Sequence, residues 1–196
     1  MTRSRRRNPR GQGEKLRDEI LAAAFCVLDE HGGPGAVTLR AVARAAGVTA
    51  PAIYGHFSSV EELLAAMRAR VFADLDDAMA DASAQATDPI EQLLAHTMTY
   101  VEAGIRAPAR RQLMFTVIAG AVNLAGEATF RTLVRLVRTC VAAGRCGSTS
   151  PDTDAVLLLA ALDGLVQGHV ISPAFPWPPL ADSVRLVTTR LLQITL

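Results

Sequence analysis

Residues 38–57, with the sequence TLRAVARAAGVTAPAIYGHF, constrain the fold more than any other part of the chain. Their first half has an apolar face at helical spacing, formed by Leu39, Val42, Ala43 and Ala46. Thr38 is a good N-cap for that helix, and Gly47 ends it because glycine tolerates a positive φ. Thr49 then caps a second helix, and Pro51 fits its first turn because the amide that proline lacks would be unpaired there.

Two short helices around a tight turn are typical of a helix-turn-helix, whose second helix enters the DNA major groove. Ile53 and Phe57 are expected to face the core, which leaves the opposite side for DNA. The hydroxyls of Thr49 and Tyr54 suit phosphates, and Arg40 suits a phosphate or a guanine edge. The predicted contacts from the residues alone are Arg40, Thr49, Ala50, Pro51 and Tyr54. The alternative for Arg40 is a solvated helix residue.

The run resembles the DNA-binding domain of the TetR family of bacterial transcriptional regulators over roughly residues 16–68. The matching residues are Thr38-Leu39-Arg40, Val42-Ala43, Ala46-Gly47-Val48, Tyr54, His56-Phe57 and Glu61-Glu62-Leu63-Leu64. The resemblance implies a repressor, and it adds His56 as a phosphate donor. Val60 departs from the pattern, since the family commonly has a phosphate-binding lysine there.

Basic residues are concentrated at the N-terminus. Residues 1–57 hold nine Lys or Arg and five Asp or Glu, whereas the remainder holds eleven and fourteen. Arg5, Arg6 and Arg7 belong to a basic arm, residues 1–13, that is expected to be disordered and to follow phosphates or enter the minor groove. No apolar stretch of a signal peptide follows the arm, and no run reaches the length of a membrane span, so a cytoplasmic protein is expected.

Strand signals are nearly absent and half of the residues are hydrophobic, which predicts an all-α fold. A homeodomain-like three-helix helix-turn-helix domain is expected over residues 14–58. A helical TetR-type domain for ligand binding and dimerisation is expected over residues 59–196, with about nine helices in total. Cys26, on the first helix, is expected to be a small residue of the protein core.

The predicted eighth helix, residues 151–171, has a run at 155–162 that is apolar on every side and therefore needs covering on every side. We expect residues 151–171 and 180–195 to pair with a second copy in a four-helix bundle, as the resemblance also implies. Such a homodimer would suit a palindromic double-stranded DNA operator. Phe175 and Trp177, in the Pro-rich connection, either latch onto the partner subunit or line a pocket.

Several residues of the C-terminal domain are candidates for a ligand pocket that would take a small apolar effector. They are His96, Tyr100, Met114, Phe115, Phe130 and His169. The alternative for each is ordinary core packing.

The sequence leaves three functions open. The first is a repressor released by a small-molecule effector, the second a regulator of the same fold controlled by a protein partner, and the third an enzyme. The enzyme has little support, because the four histidines are scattered and neither a nucleophile elbow nor a Gly-rich phosphate loop is present. No metal, cofactor or catalytic residue is predicted.

Overall fold

The computed structural model describes residues 12–121 and 124–194. Arg5, Arg6 and Arg7 of the predicted arm lie outside these residues. Within them the chain forms nine α-helices, a short 3₁₀ turn at Pro34–Ala36 and no β-strand, so the all-α prediction is confirmed. The helices are α1 Gln12–His31, α2 Leu39–Ala45, α3 Ala50–Tyr54, α4 Val60–Ala84, α5 Pro89–Arg106, α6 Pro108–Phe115, α7 Leu124–Ala142, α8 Pro151–Ile171 and α9 Leu180–Leu191.

The helices pack around three apolar clusters. We call the N-terminal one, formed by α1 to α3 with the start of α4, the head; its buried residues include Ile20, Leu28, Ile53 and Phe57. The body is the cluster formed by α5, α7, α8 and α9. A small middle cluster, of Phe72, Leu75, Met79 and Met114, joins α4 to α6 between the head and the body.

Side-chain caps fix where the helices begin. Thr38 accepts a hydrogen bond from the Ala41 amide at 3.1 Å, and Asp88 accepts one from the Ile90 amide at 2.8 Å. Ser59 accepts from the Glu62 amide at 3.2 Å and so caps the start of α4. The Glu62 carboxylate accepts from the side chain and amide of Ser58, and these bonds lower its pKa.

The end of α9 differs from the prediction. The helix ends at Leu191 rather than near residue 195, because Gln193 adopts a φ of 52° and turns the chain. Gly147, in the connection before α8, donates its amide to Leu192 at 3.1 Å, and Cys146 donates its thiol to the same carbonyl at 3.0 Å. The last turn is therefore held by a loop distant in sequence, which no local pattern indicates.

Cys26 is exposed, so its expected place in the core was wrong. The buried stripe of α1 runs through Ile20, Ala24 and Leu28, which are all fully buried. Cys26 lies two residues after Ala24 and therefore about 200° around the helix from it.

The eighth helix is covered on one side only. Ala155, Leu158, Leu162 and Val166 are buried, whereas Val156 and Leu157 are 53% and 51% exposed in the single chain. By length and composition α8 is apolar enough to cross a membrane, but this is weak support for a membrane protein because one face packs into the body.

The Pro-rich connection after α8 folds against the end of that helix. The ring of Trp177 stacks on His169 with centroids 4.8 Å apart, and its indole N–H donates to the Ser172 carbonyl at 3.0 Å. A Cβ on Gly168 would lie 2.6 Å from the Trp177 ring, so the close approach needs a glycine. Phe175 packs on Trp177 at 4.7 Å and is 55% exposed.

Candidate nucleic-acid interface and internal cavity

The short helix α3 is anchored from beneath. Ile53 and Phe57 are fully buried, and the guanidinium of Arg17 lies 5.0 Å from the centre of the Phe57 ring. Gly47 has a φ of +65° at the turn, and the Val48 amide donates to the Ala43 carbonyl at 3.0 Å. These contacts set the orientation of α3 against α2, as a helix-turn-helix requires.

The opposite side of α3 is open to solvent. Thr49, Ala50, Pro51 and Tyr54 are all exposed, with 60% of Tyr54 accessible. The Thr49 side chain makes no capping hydrogen bond, so its hydroxyl is available to an external partner. The structure thus brings four predicted DNA contacts together on one helix, and their contact with DNA stays a prediction.

The two remaining predicted contacts flank α3. Arg40 is exposed on the first turn of α2, and His56 is half-buried directly after α3. Residues 12–57 contain four basic and five acidic residues, so the positive excess of the N-terminal region comes from the arm preceding them. Among the acids, Asp29 forms an ion pair with Arg110 at 2.8 Å.

The body contains an apolar cavity of about 130 Å³ between α5, α7 and α8, closed by α6. Five of the predicted pocket residues lie around it: His96, Tyr100, Met114, Phe115 and Phe130. The lining also includes residues that the sequence reasoning missed, such as Phe72, Thr97, Thr129, Leu159 and Leu162. Ligand binding by this cavity stays a prediction.

The structure does not place His169 in this cavity. Its ring stacks on Trp177, and its Nδ1 lies 2.8 Å from the Leu165 carbonyl. His169 sits seven residues after Leu162, near the end of α8, where the helix is covered by the Pro-rich connection rather than by α5 and α7.

A polar network borders the cavity at Tyr100. The Tyr100 hydroxyl donates to Asp163 Oδ1 at 2.6 Å, and Arg111 Nη2 donates to the same oxygen at 2.9 Å. Burial, together with the Asp163 carboxylate, raises the pKa of Tyr100 above its usual range, so the phenol is protonated and acts as the donor. The sequence could not reveal this network because its members lie on α5, α6 and α8.

His96 is the ionisable group at the other end of the cavity. Burial, and secondarily the charge of Arg135, lowers the pKa of His96 to about 4 from an ordinary value near 6.5. The imidazole is therefore neutral at neutral pH. Of the described residues, no group of three or more His, Cys, Asp or Glu has the arrangement of a metal site.

This pKa predicts an acid sensitivity of the body. The unfolded chain takes up a proton near pH 6.5 while folded His96 resists it until about pH 4, so stability is full above 6.5 and falls as the pH drops below it. Between pH 7.5 and 5 the loss is about 2 kcal/mol. In urea unfolding at several pH values, the free energy of unfolding of His96→Gln should fall less steeply with decreasing pH than that of the wild type. His31→Gln, at an exposed histidine, is the control and should keep the wild-type pH dependence.

Helix α6 contacts the head, the middle cluster and the cavity through three consecutive residues. Leu113 is fully buried in the head, Met114 lies in the middle cluster, and Phe115 lines the cavity. The ion pair of Arg110 with Asp29 fastens α6 to the end of α1, and the Arg110 guanidinium also lies 5.0 Å from the centre of the Phe25 ring.

Comparison with known families finds one match. Residues 20–67 match the family of bacterial regulatory proteins, tetR family, which covers the helix-turn-helix and the start of α4. No curated protein matches the sequence.

Solved structures resemble the chain along nearly its whole length. A Rhodococcus sp. RHA1 protein of unknown function is 25% identical, with a TM-score of 0.80 over 95% of this chain and 98% of its own. The fatty acid degradation regulator FadR from Bacillus halodurans is 22% identical, with a TM-score of 0.74 over 96% of this chain and 97% of its own. The TetR family transcriptional regulator PfmR from Thermus thermophilus is 19% identical, with a TM-score of 0.67 over 90% of this chain and 98% of its own.

Proposed function

Because the chain belongs to the TetR family of bacterial regulatory proteins, we propose that it is a repressor that binds a palindromic DNA operator as a homodimer and leaves it when a small molecule binds. The observation that carries the proposal is the α3 surface. Thr49 and Tyr54 present hydroxyls on a helix whose other side is anchored by fully buried residues. A rigid, exposed helix of this kind is what major-groove recognition needs.

The recognition surface is largely apolar, which suggests how it would read DNA. Ala50 and Pro51 suit thymine methyl groups, while Thr49, Tyr54 and His56 suit phosphates. Residues 12–57 carry no net positive charge, so the arginines of the arm would supply much of the general attraction to DNA. Specificity would then depend partly on DNA shape as well as on base contacts.

Dimerisation is proposed through α8 and α9. Val156, Leu157 and Leu186 are each about half exposed in the single chain, although large apolar side chains gain from burial. At the far end of α8, Ile171 is 68% exposed and continues this apolar surface towards Phe175. Two-fold pairing of these helices would present two copies of α3 to the two halves of a palindrome. We expect Phe175 to contact the partner subunit, because it is 55% exposed beside this surface and neither it nor Trp177 lines the cavity.

Release by an effector is proposed through the cavity and α6. A ligand between α5, α7 and α8 would press on Phe115, and Leu113, two residues earlier, is part of the head. The ligand can change DNA affinity only if it binds one head arrangement better than the other. Direct packing of α6 on both the head and the cavity provides that difference in contacts.

The test is selection of bound sequences from a random duplex pool at fixed salt, followed by affinity measurement on the enriched site. Tyr54→Ala is expected to weaken binding to the enriched site roughly tenfold, in line with about 1 to 3 kcal/mol per recognition contact, and to weaken non-specific binding as well, because a contact with phosphate does not depend on sequence. Arg131→Ala is the control, because Arg131 is an exposed residue of α7 whose ion pair, within the described part of the chain, is with Glu127.

An enriched palindrome that depends on Tyr54 supports the proposal. Absence of any enriched sequence, or a site bound equally by Tyr54→Ala, contradicts the assignment of α3 as the recognition helix. Enrichment that appears only with a cell extract would instead favour control by a protein partner.

A further inference from the structure

The apolar cavity adjoins two other open spaces through single layers of side chains. Tyr100 and Met114 separate it from a second cavity of about 180 Å³ between α4, α5 and α6. Phe115 separates it from an open groove between α6, α8 and the end of α1. Arg106 and Arg111 line both the second cavity and the groove. Movement of these side chains would therefore connect the apolar interior with a cationic opening.

Of the separating side chains, Met114 and Phe115 are the adaptable ones, because the hydroxyl of Tyr100 is held by Asp163. Met114 is unbranched, with three rotatable bonds, and such residues adapt to irregular spaces at little cost. Phe115 is 53% exposed, with the Arg111 guanidinium 5.0 Å from the centre of its ring. The apolar cavity alone resembles in size the cavity of roughly 150 Å³ that holds a benzene. Joined to the second cavity, it approaches the lower end of ordinary ligand sites, roughly 300 Å³.

The cationic end has unused binding capacity. Arg111 Nη2 donates to Asp163 and Nη1 to Gln167 at 3.3 Å, but its buried Nε has no hydrogen-bond partner in the described part of the chain. An unpaired buried donor is unfavourable, so an incoming acceptor is favoured there. Arg106 forms no ion pair within residues 12–121 and 124–194, whereas Arg110 is already bound to Asp29.

The charges around the second cavity favour an anion. Three arginines and one acid line it: Arg106, Arg110, Arg111 and Asp74. Asp74 is held by Arg70 at 2.7 Å, on the outer side of α4. Guanidinium groups bind carboxylates and phosphates more strongly than they bind neutral acceptors.

The apolar cavity, at the other end, has no group that would stabilise a charged part of a ligand. His96 is neutral at neutral pH, since burial lowers its pKa to about 4. The hydroxyls of Thr97 and Thr129 donate to carbonyls of their own helices, at Leu94 and Ala125, both at 3.1 Å. The remaining lining is aliphatic and aromatic, so only an apolar group gains by entering.

We propose that the cavity and the adjoining opening bind an amphipathic anion with a single apolar tail. The tail lies between α5, α7 and α8, and the anionic group lies between Arg106 and Arg111. This inference rests on the proposed function in one respect, because it identifies the effector site with this cavity.

The experiment compares carboxylates with alcohols of equal tail length. Octanoate, decanoate and dodecanoate, and the three corresponding alcohols, are titrated into the full-length protein by calorimetry. We expect saturable binding of at least one carboxylate, about tenfold tighter than its alcohol, as a charge-assisted contact provides. Arg106→Gln should remove most of that preference without changing alcohol binding. Arg106 is exposed, so this variant keeps the fold.

Arg131→Gln is the matched control, because it also removes one exposed arginine but lies away from the path. Arg111→Gln is a second variant and should weaken carboxylate binding further. The inference is overturned if no carboxylate in the series binds, if carboxylate and alcohol bind equally, or if Arg106→Gln leaves the preference intact.

Operator binding is measured separately with the same probes. Carboxylate binding that depends on Arg106 but leaves the operator bound supports the ligand class and contradicts release by this effector. Release by an uncharged compound, with no carboxylate binding, overturns the ligand class and leaves the proposed repressor intact.

Discussion

Leu157→Glu is expected to convert the proposed homodimer into a monomer and to lower operator affinity on the order of a hundredfold, since one head then binds without the other. Leu157 is 51% exposed in the single chain, so a glutamate there leaves the subunit's own packing intact. In a two-fold interface the same surface of each subunit takes part, so each dimer would bury two unpaired carboxylates. Burying an unpaired charge costs several kcal/mol.

Analytical ultracentrifugation measures the mass, and fluorescence anisotropy with the selected operator measures the affinity. Val117→Glu is the control, because it makes the same kind of change at an apolar residue that is 95% exposed and belongs to neither α8 nor α9. A Leu157→Glu protein that remains dimeric and retains operator affinity would show that α8 is not the interface.

Phe57→Ala is expected to unfold the head while the body stays folded. The ring is fully buried among the head residues, and truncating a buried phenylalanine to alanine costs about 3 to 5 kcal/mol. The head is a small packing unit, and units of this size have little stability to lose. Specific operator binding should therefore disappear, although dimerisation through α8 and α9 should persist.

Two observables separate the head from the body. Far-ultraviolet circular dichroism should lose helical signal, while the emission of Trp177, the single tryptophan, should keep its wild-type unfolding midpoint because it lies in the body. Phe57→Leu is the conservative control, and Val117→Ala is the control at an exposed residue. A Phe57→Ala protein that retains both its helical signal and its operator affinity would contradict the assignment of Phe57 to the head core.

Local signals predicted the helix starts well. Thr38 caps α2 as the pattern indicated, because capping depends on residues within one turn. Thr49 precedes α3 as expected, but its side chain makes no capping hydrogen bond. Both ends of α8 were also correct, since Pro151 opens the helix and a Pro-rich stretch follows it. The exposed side of α3 followed from the same short-range pattern.

Long-range contacts decided the rest. The hydrogen bonds from Gly147 and Cys146 to Leu192 end α9 early, and neither partner is near the other in sequence. The link of Arg111 to Asp163 spans two helices, so neither residue was a candidate before the fold was known. His169 was chosen together with Phe115 and Phe130 as a residue of the C-terminal domain, because composition alone does not say which end of a helix is covered.

The placement of Leu113 in the head, Met114 in the middle cluster and Phe115 at the cavity restricts how α6 can change during evolution. Each residue added to a helix rotates everything after it by about 100°. One inserted residue in α6 would therefore turn Leu113 away from the head and Phe115 away from the cavity together. Ala107 alone separates α6 from α5, and a connection of one residue is too short to rotate α6 back. Substitution can reshape the cavity, but α6 itself should keep its length.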